Sequence, residues 1–349
     1  MNKILIVGER STSLSGYAYA DSFVEILQNY GYQVRSFDCT RVETAFGVLS
    51  RFRLNRISAS IFSYLINQRF EELCTSFEPD FCFVLKGDTI LPKTLSRLKK
   101  RLKTRFILFY PDNPFLFTNG NSNPGVVESL ALYDVVLSWS LALMPILTSL
   151  GVRHVCYFPF GYDARFFEHF LPKEPLYDVG FIGTADDERF ELLSQIVKRL
   201  PLLKIGVWGN RWDEYKDQDE ILYERYCGSA EYKQQMVDRL RACKIVLNPL
   251  RLQNYTAHNM RSLEAAAAEV FQLATYSHEH ADILFTENES IAMYKDVDDL
   301  ERKINWYLDH PEERIKMAAE AKKRVEIYSL QKMLKLFFDR GGCFCSPLL

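Results

Sequence analysis

No segment of the 349-residue chain approaches the roughly 18 consecutive apolar residues of a membrane-spanning helix, and the opening run, MNKILIVGERSTS, is too short in apolar residues for a secretory signal. The protein is therefore expected in the cytoplasm. An excess of charge of one sign is also missing. The 43 basic side chains stand against 45 acidic ones, a formal net charge of −2. That balance argues against a dedicated nucleic-acid binder, which must neutralise phosphates. Zinc-type cysteine spacing is absent too. The eight cysteines, at 39, 74, 82, 156, 227, 243, 343 and 345, include no C-x-x-C pair. Cys74, Cys82, Cys156 and Cys243 lie in or beside apolar runs, where a thiol acts as a small hydrophobe. All eight are expected reduced. Short-period repeats and low-complexity tracts are lacking as well. What remains is 48% hydrophobic and 25% charged, the composition of a soluble globular protein with room for two domains of roughly 100 to 200 residues each.

The chain opens with a buried strand at 3–8, a polar loop at 9–16, a helix ending near Tyr30-Gly31 and a short strand at 33–37. Strand, helix and strand in that order predict a parallel unit. Further apolar strands are expected at 81–85, 105–110, 135–138 and 154–158, with helical patterns such as 91–102 and 141–150 between them. After the polar connection PKEPLYD a second series begins, with strands at 178–182, 204–208, 245–247, 272–275 and around 290–294. The expected architecture is α/β: two Rossmann-like, doubly wound parallel-sheet domains facing each other across a cleft, where such proteins bind ligands. Pro311 interrupts the helical region that starts at Asp298, and the apolar segment 330–338 suggests a helix that packs back on another part of the chain.

The run HNMRSLEAAAA at 258–268 resembles the signature of group 1 glycosyltransferases, in the CgeB-like, spore-maturation branch. Six other segments agree in the same order: PDFCFVLKGD at 79–88, FYPDNP at 109–114, YDVVLS at 133–138, FPFGYD at 158–163, YDVGFIGT at 177–184 and WYLDHPEER at 306–314. Their joint order makes the match specific where each alone would be weak. The resemblance implies the GT-B fold, with an acceptor-side domain at 1–170, a nucleotide-sugar-binding domain at 171–328, and a terminal helix and tail at 329–349 returning toward the first domain. It implies transfer of a hexose-type sugar from a nucleoside-diphosphate sugar to a hydroxyl of a glycan, a lipid-linked saccharide or a small acceptor. No metal or other cofactor is expected. A nucleotide-sugar epimerase, or a glycosyltransferase-like binding protein without turnover, are the alternatives.

A polar loop running straight into an alanine-rich helix presents free N–H groups and a positive dipole end to an anion. His258, Asn259 and Arg261 stand at that start as candidate diphosphate ligands. Glu264, one turn on, matches the family glutamate that accepts hydrogen bonds from ribose. Gly183 and Thr184 end the first strand of the second domain, and Arg189 follows them. Asn248, Arg251 and Tyr255 precede the signature helix and are candidates to frame base or phosphates. Glu269-Val270 stand where relatives carry Gly-Gly, so the turn after that helix is expected to depart from the family's.

In the first domain, Gly16 lies in the loop that faces the cleft in GT-B proteins, although the loop has no G-x-G-x-x-G. Lys86, Asp88, Asp112 and Asn113 end two strands. Asp112 is the candidate general base if the reaction inverts the anomeric centre; retention would need none. As a turn residue before Asn-Pro it has an equal structural rationale. Two acid pairs are not expected to hold a metal: Asp186-Asp187 follows a Gly-Thr turn, and Asp298-Asp299 opens a helix, where acids suit the dipole. Residues 93–105 carry seven Lys or Arg and no acid, and residues 1–170 hold 18 basic against 15 acidic side chains. This asymmetry suggests peripheral contact with an anionic membrane, or simply a solvated helix face.

Overall fold

Runs such as KILIV, FCFVL and RFILF are too short for helices and are apolar at nearly every position, the pattern of strands covered on both faces. They form the middle of a parallel sheet. The computed structural model describes residues 2–10, 19–40, 56–117, 121–168 and 174–342. The chain forms two units: one runs to Pro159 and resumes at Leu330, and the other is Phe160–Ser329.

The first unit contains strands β1 (Lys3–Val7), β2 (Gln33–Phe37), β3 (Phe81–Leu85), β4 (Arg105–Phe109), β5 (Val135–Ser138) and β6 (Val155–Tyr157). Its helices are α1 (Tyr19–Asn29), α2 (Arg56–Phe77), α3 (Pro92–Arg101), α4 (Pro124–Ser129) and α5 (Leu143–Ser149). All strand pairs are parallel, in the order β2-β1-β3-β4-β5-β6. Edge strand β2 has no buried residue, whereas β5 has no exposed one.

The second unit contains β7 (Tyr177–Ile182), β8 (Ile205–Trp208), β9 (Tyr226–Gly228), β10 (Cys243–Asn248), β11 (Gln272–Thr275) and β12 (Ala292–Tyr294). Its helices are α6 (Asp187–Arg199), α7 (Glu220–Tyr223), α8 (Lys233–Arg241), α9 (Met260–Ala267), α10 (Val297–Asp309) and α11 (Pro311–Val325). The parallel order here is β12-β11-β10-β7-β8-β9. Val179, Phe181, Ile245, Leu247 and Leu273 from the sheet close on Leu193 and Ile196 of α6 and on Leu300 and Ile304 of α10. Strand β9, three residues long with none buried, has no apolar run to announce it.

Helix α12 (Leu330–Asp339) belongs to the first unit. Its Phe337 and Phe338 are buried against the rings of Phe81, Phe83 and Phe158, and the Tyr30 hydroxyl donates to the Gln331 carbonyl at 2.9 Å. Among the described residues no helix is long and apolar enough to cross a membrane.

Candidate functional site

A doubly wound sheet has one place where the chain reverses its direction of strand addition, and the loops leaving the two strands there part to opposite faces. In the second unit that place lies between β7 and β10, which are neighbours in the sheet although the paired Tyr177 and Cys243 stand 66 positions apart in the chain, with β8 and β9 between them in sequence. The loop after β7 carries Gly183, Thr184 and Asp186; the loop after β10 carries Leu250 and Arg251.

Both loops are pinned. Gly183 donates its N–H to the Trp208 carbonyl at 2.8 Å, and its own carbonyl accepts from Trp212 Nε1 at 3.0 Å. Its backbone groups are thus used by the fold. The neighbouring strand end needs glycine more: Gly209 has φ +146°, and a Cβ there would sit 1.9 Å from the Gly183 oxygen. After β10, the Leu250 N–H donates to Thr275 Oγ1 at 3.1 Å and the Asn254 N–H to the Arg251 carbonyl at 2.8 Å.

Charge converges on this point. Asp186 caps α6, accepting from the Arg189 N–H at 3.0 Å, and its Oδ2 lies 2.7 Å from Arg251 Nε and 3.5 Å from Arg189 Nη1. Arg189 Nη1 also donates to the Thr184 carbonyl at 2.9 Å, while its buried Nε has no hydrogen-bond partner. Burial first, then the nearby guanidinium groups of Arg251 and Arg261, pull the Arg189 pKa down to about 10 against the opposing field of Asp186. Arg261 pairs with Glu264 at 2.8 Å and donates to Met236 Sδ at 2.8 Å, leaving its buried Nε unpartnered. Two arginines with unsatisfied buried donors, and a third beside them, form a cationic group suited to a multiply charged anion.

Helix α9 starts beside them through a reciprocal capping box. The Asn259 side chain accepts from the Ser262 N–H at 3.0 Å, and Ser262 Oγ accepts from the Asn259 N–H at 3.3 Å. Asn259 also donates to Asn248 Oδ1 at 2.8 Å, while Asn248 Nδ2 reaches Ser262 Oγ and the Gln272 amide oxygen. Asn248 and Asn259 therefore serve the cap rather than an open site. His258 likewise departs from the phosphate role expected for it. Its ring is fully buried, its Nε2 accepts from the Phe160 N–H at 3.3 Å, and that bond leaves Nδ1 to carry the proton toward Glu279 at 3.3 Å. His280, also fully buried, shares a 2.6 Å hydrogen bond with Ser262 Oγ. Burial, then the neighbouring His258, pushes its pKa down to about 3, so it is neutral across the ordinary range. Tyr255 is half exposed.

The end of α9 corrects another expectation. Although Gly-Gly is missing, the turn is present. Glu269 adopts φ +58°, its N–H donates to the Ala266 carbonyl at 3.0 Å, and the Val270 N–H donates to the Ala265 carbonyl at 3.1 Å. These two bonds close a helix in the manner glycine usually allows. Here a glutamate carries the left-handed backbone, and its carboxylate pairs with Lys322 of α11 at 2.7 Å.

In the first unit, Lys86 follows β3 with φ +68° and places Nζ 3.1 Å from Asp112 Oδ2 and 3.9 Å from Asp88 Oδ2. Asn113 accepts from the Phe115 N–H at 3.0 Å, a turn-forming bond. Gly16 lies outside the described residues. Of the seven cations in residues 93–105, Arg97 and Arg101 pair with Glu71, Lys99 with Asp134, and Arg105 bonds the Gly341 carbonyl. The patch offered to a surface is smaller than the residue count implies. Among the described residues there is no group of three or more His, Cys, Asp or Glu able to hold a metal ion. Asp187 accepts from Tyr215 at 2.6 Å, and Asp298 pairs with Arg199 at 2.5 Å.

Residues 189–332 match the family model described as glycosyl transferase-like. Spore protein CgeB of Bacillus subtilis (strain 168) is 25% identical over 260 residues, spanning 70% of this chain and 77% of that protein. Among solved structures, sucrose-phosphate synthase from Thermosynechococcus elongatus superposes with a TM-score of 0.73 at 12% identity over 98% of each chain. Anabaena Alr3699/HepE in complex with UDP-glucose gives 0.68 at 12% identity, over 97% of this chain and 99% of that one. At such identities the structural likeness establishes the fold: two parallel six-stranded sheets with helices, the GT-B architecture.

Proposed function

We propose that this chain, a glycosyl transferase-like protein of the GT-B fold, transfers a sugar from a nucleoside-diphosphate sugar to an acceptor hydroxyl, with the donor held by its second unit. The observation that carries this is the meeting of Arg189, Arg251 and Arg261 at the switch point between β7 and β10. A diphosphate supplies the acceptors that the buried guanidinium nitrogens lack. The first-turn N–H groups of α9 add a partial positive charge at its start. Glu264, one turn along α9, is the ribose ligand, taking two hydroxyl hydrogen bonds once Arg261 turns to phosphate. His258 and Asn259 contribute by fixing the helix start. That HepE was solved with UDP-glucose on the same fold supports UDP as the first nucleotide to try. No metal is required in this scheme, because arginines and a helix end stabilise the leaving diphosphate.

On the acceptor side, Asp112 is the general base, with Lys86 against its carboxylate. The preserved left-handed turn at Glu269 favours a working donor helix over a protein that has lost turnover.

Calorimetry with two probes tests the assignment. UDP carries ribose and diphosphate; inorganic pyrophosphate carries only the latter. Glu264→Ala should weaken UDP binding by about tenfold, the worth of one or two hydrogen bonds at ~1.4 kcal/mol, while pyrophosphate binds as before or tighter. Equal loss for both probes would remove the ribose role. Absence of binding by UDP, ADP, GDP and pyrophosphate at millimolar concentration would remove the donor site.

A further inference from the structure

Asp186 is a carboxylate placed among cations at a site assigned above to an anion, and electrostatics alone would make it a hindrance there. Its geometry gives it another task. Oδ1 accepts the Arg189 N–H at 3.0 Å and so fixes the first turn of α6. Oδ2 takes Arg251 by Nε, at 2.7 Å, and not by its terminal nitrogens. The fork of a guanidinium carries its two Nη groups on the side away from Cδ, and neither Nη of Arg251 hydrogen-bonds a described residue. The Arg251 side chain keeps 39% of its surface accessible. Arg189 is oriented from the same centre, with Nη1 between the Thr184 carbonyl at 2.9 Å and Asp186 Oδ2 at 3.5 Å. One short side chain thereby ties a helix start to two arginines, one of them 65 positions away in sequence.

We infer that Asp186 is a positioning residue: it holds Arg251 by its Nε and Arg189 by its backbone and Nη1, so that the remaining donors are directed together at a diphosphate before the ligand arrives. This rests on the donor-site assignment above. Preorganisation of this kind lowers the ordering cost of two long side chains on binding, and that gain outweighs the repulsion between carboxylate and phosphate.

The two effects of Asp186 have opposite signs, so one substitution separates them. Asp186→Asn removes the charge yet keeps a good helix cap, and an unchanged melting temperature and circular dichroism spectrum verify the fold. If Asp186 were only a charge near the site, its removal would tighten pyrophosphate and UDP. If it positions the arginines, both probes should bind about tenfold more weakly, a loss of ~1.4 kcal/mol. The weakening should shrink in an Arg251→Ala background, because part of the effect passes through Arg251. Equal or tighter binding of both probes by Asp186→Asn, or a full undiminished loss in the Arg251→Ala background, would overturn the inference while leaving the donor site standing. Failure of the wild-type protein to bind either probe would overturn the donor site and this inference with it.

Discussion

Replacing Glu269 with glycine isolates the cost of the turn that ends α9. A left-handed backbone costs a non-glycine residue about 1–2 kcal/mol, and the looser unfolded chain of the glycine variant returns about 0.4–1 kcal/mol of that. The net gain from Glu269→Gly is therefore about 1 kcal/mol at the backbone. Against it stands the lost Lys322 pair, whose side chains are 41% and 46% exposed; such a pair contributes about 0.2–1 kcal/mol. In the wild-type background the variant should be more stable by about 0.5 kcal/mol. In a Lys322→Ala background, where no pair exists to lose, the same change should give the whole ~1 kcal/mol. For a unit of this size that is about 2–4 °C in melting temperature. Differential scanning calorimetry of the four proteins in one buffer measures both steps. Destabilisation by glycine in both backgrounds would show that Glu269 is not strained, and a gain that ignores Lys322 would show that the ion pair contributes nothing.

Two further outcomes are expected. His280 is held neutral, with a folded pKa near 3 against an ordinary 6.5; the unfolded chain binds the extra proton first, so stability is full above pH 6.5 and falls as pH drops below it, by up to ~1.4 kcal/mol per pH unit from this group. Urea titrations at pH 7.5 and 5 should show a loss that is smaller in His280→Gln, and an identical pH response in the two proteins would refute the claim. Asp112→Asn should lower turnover 10²- to 10⁴-fold, the usual worth of a general base, with UDP affinity nearly constant; turnover within a few-fold of wild type and a product of retained configuration would instead assign the reaction to the donor phosphate.

The α/β class was legible because buried parallel strands are short apolar runs, and ILIV, FCFV and VVL stand out against polar surroundings. Order within the sheets was not. Nothing in the run CKIVLN says that it lies beside YDVGFI, yet that adjacency brings Arg251 to Asp186. His258 illustrates the converse. A histidine before a helix rich in alanine has the local pattern of an anion ligand, but Glu279 and the Phe160 N–H, 21 and 98 positions away, enclose it. Asp186 stood in the sequence only as an acid after a Gly-Thr turn; its cap contact spans three residues, whereas its arginine partner lies 65 positions away. Local chemistry shows in a sequence; partners chosen by the crossover connections do not. The left-handed Glu269 was hidden for a related reason, since residue type predicts conformation only when packing does not override it.

Synthesis order gives α12 a consequence of its own. The ribosome completes β6, then the whole second unit, before it reaches the helix whose Phe337 and Phe338 cover Phe81, Phe83 and Phe158. At about 5–20 residues per second that interval is on the order of ten to thirty seconds. Throughout it the nascent first sheet has an uncovered aromatic patch, the kind of surface that chaperones bind and that joins unfinished chains to one another. A fragment ending at Pro159 would keep that patch permanently.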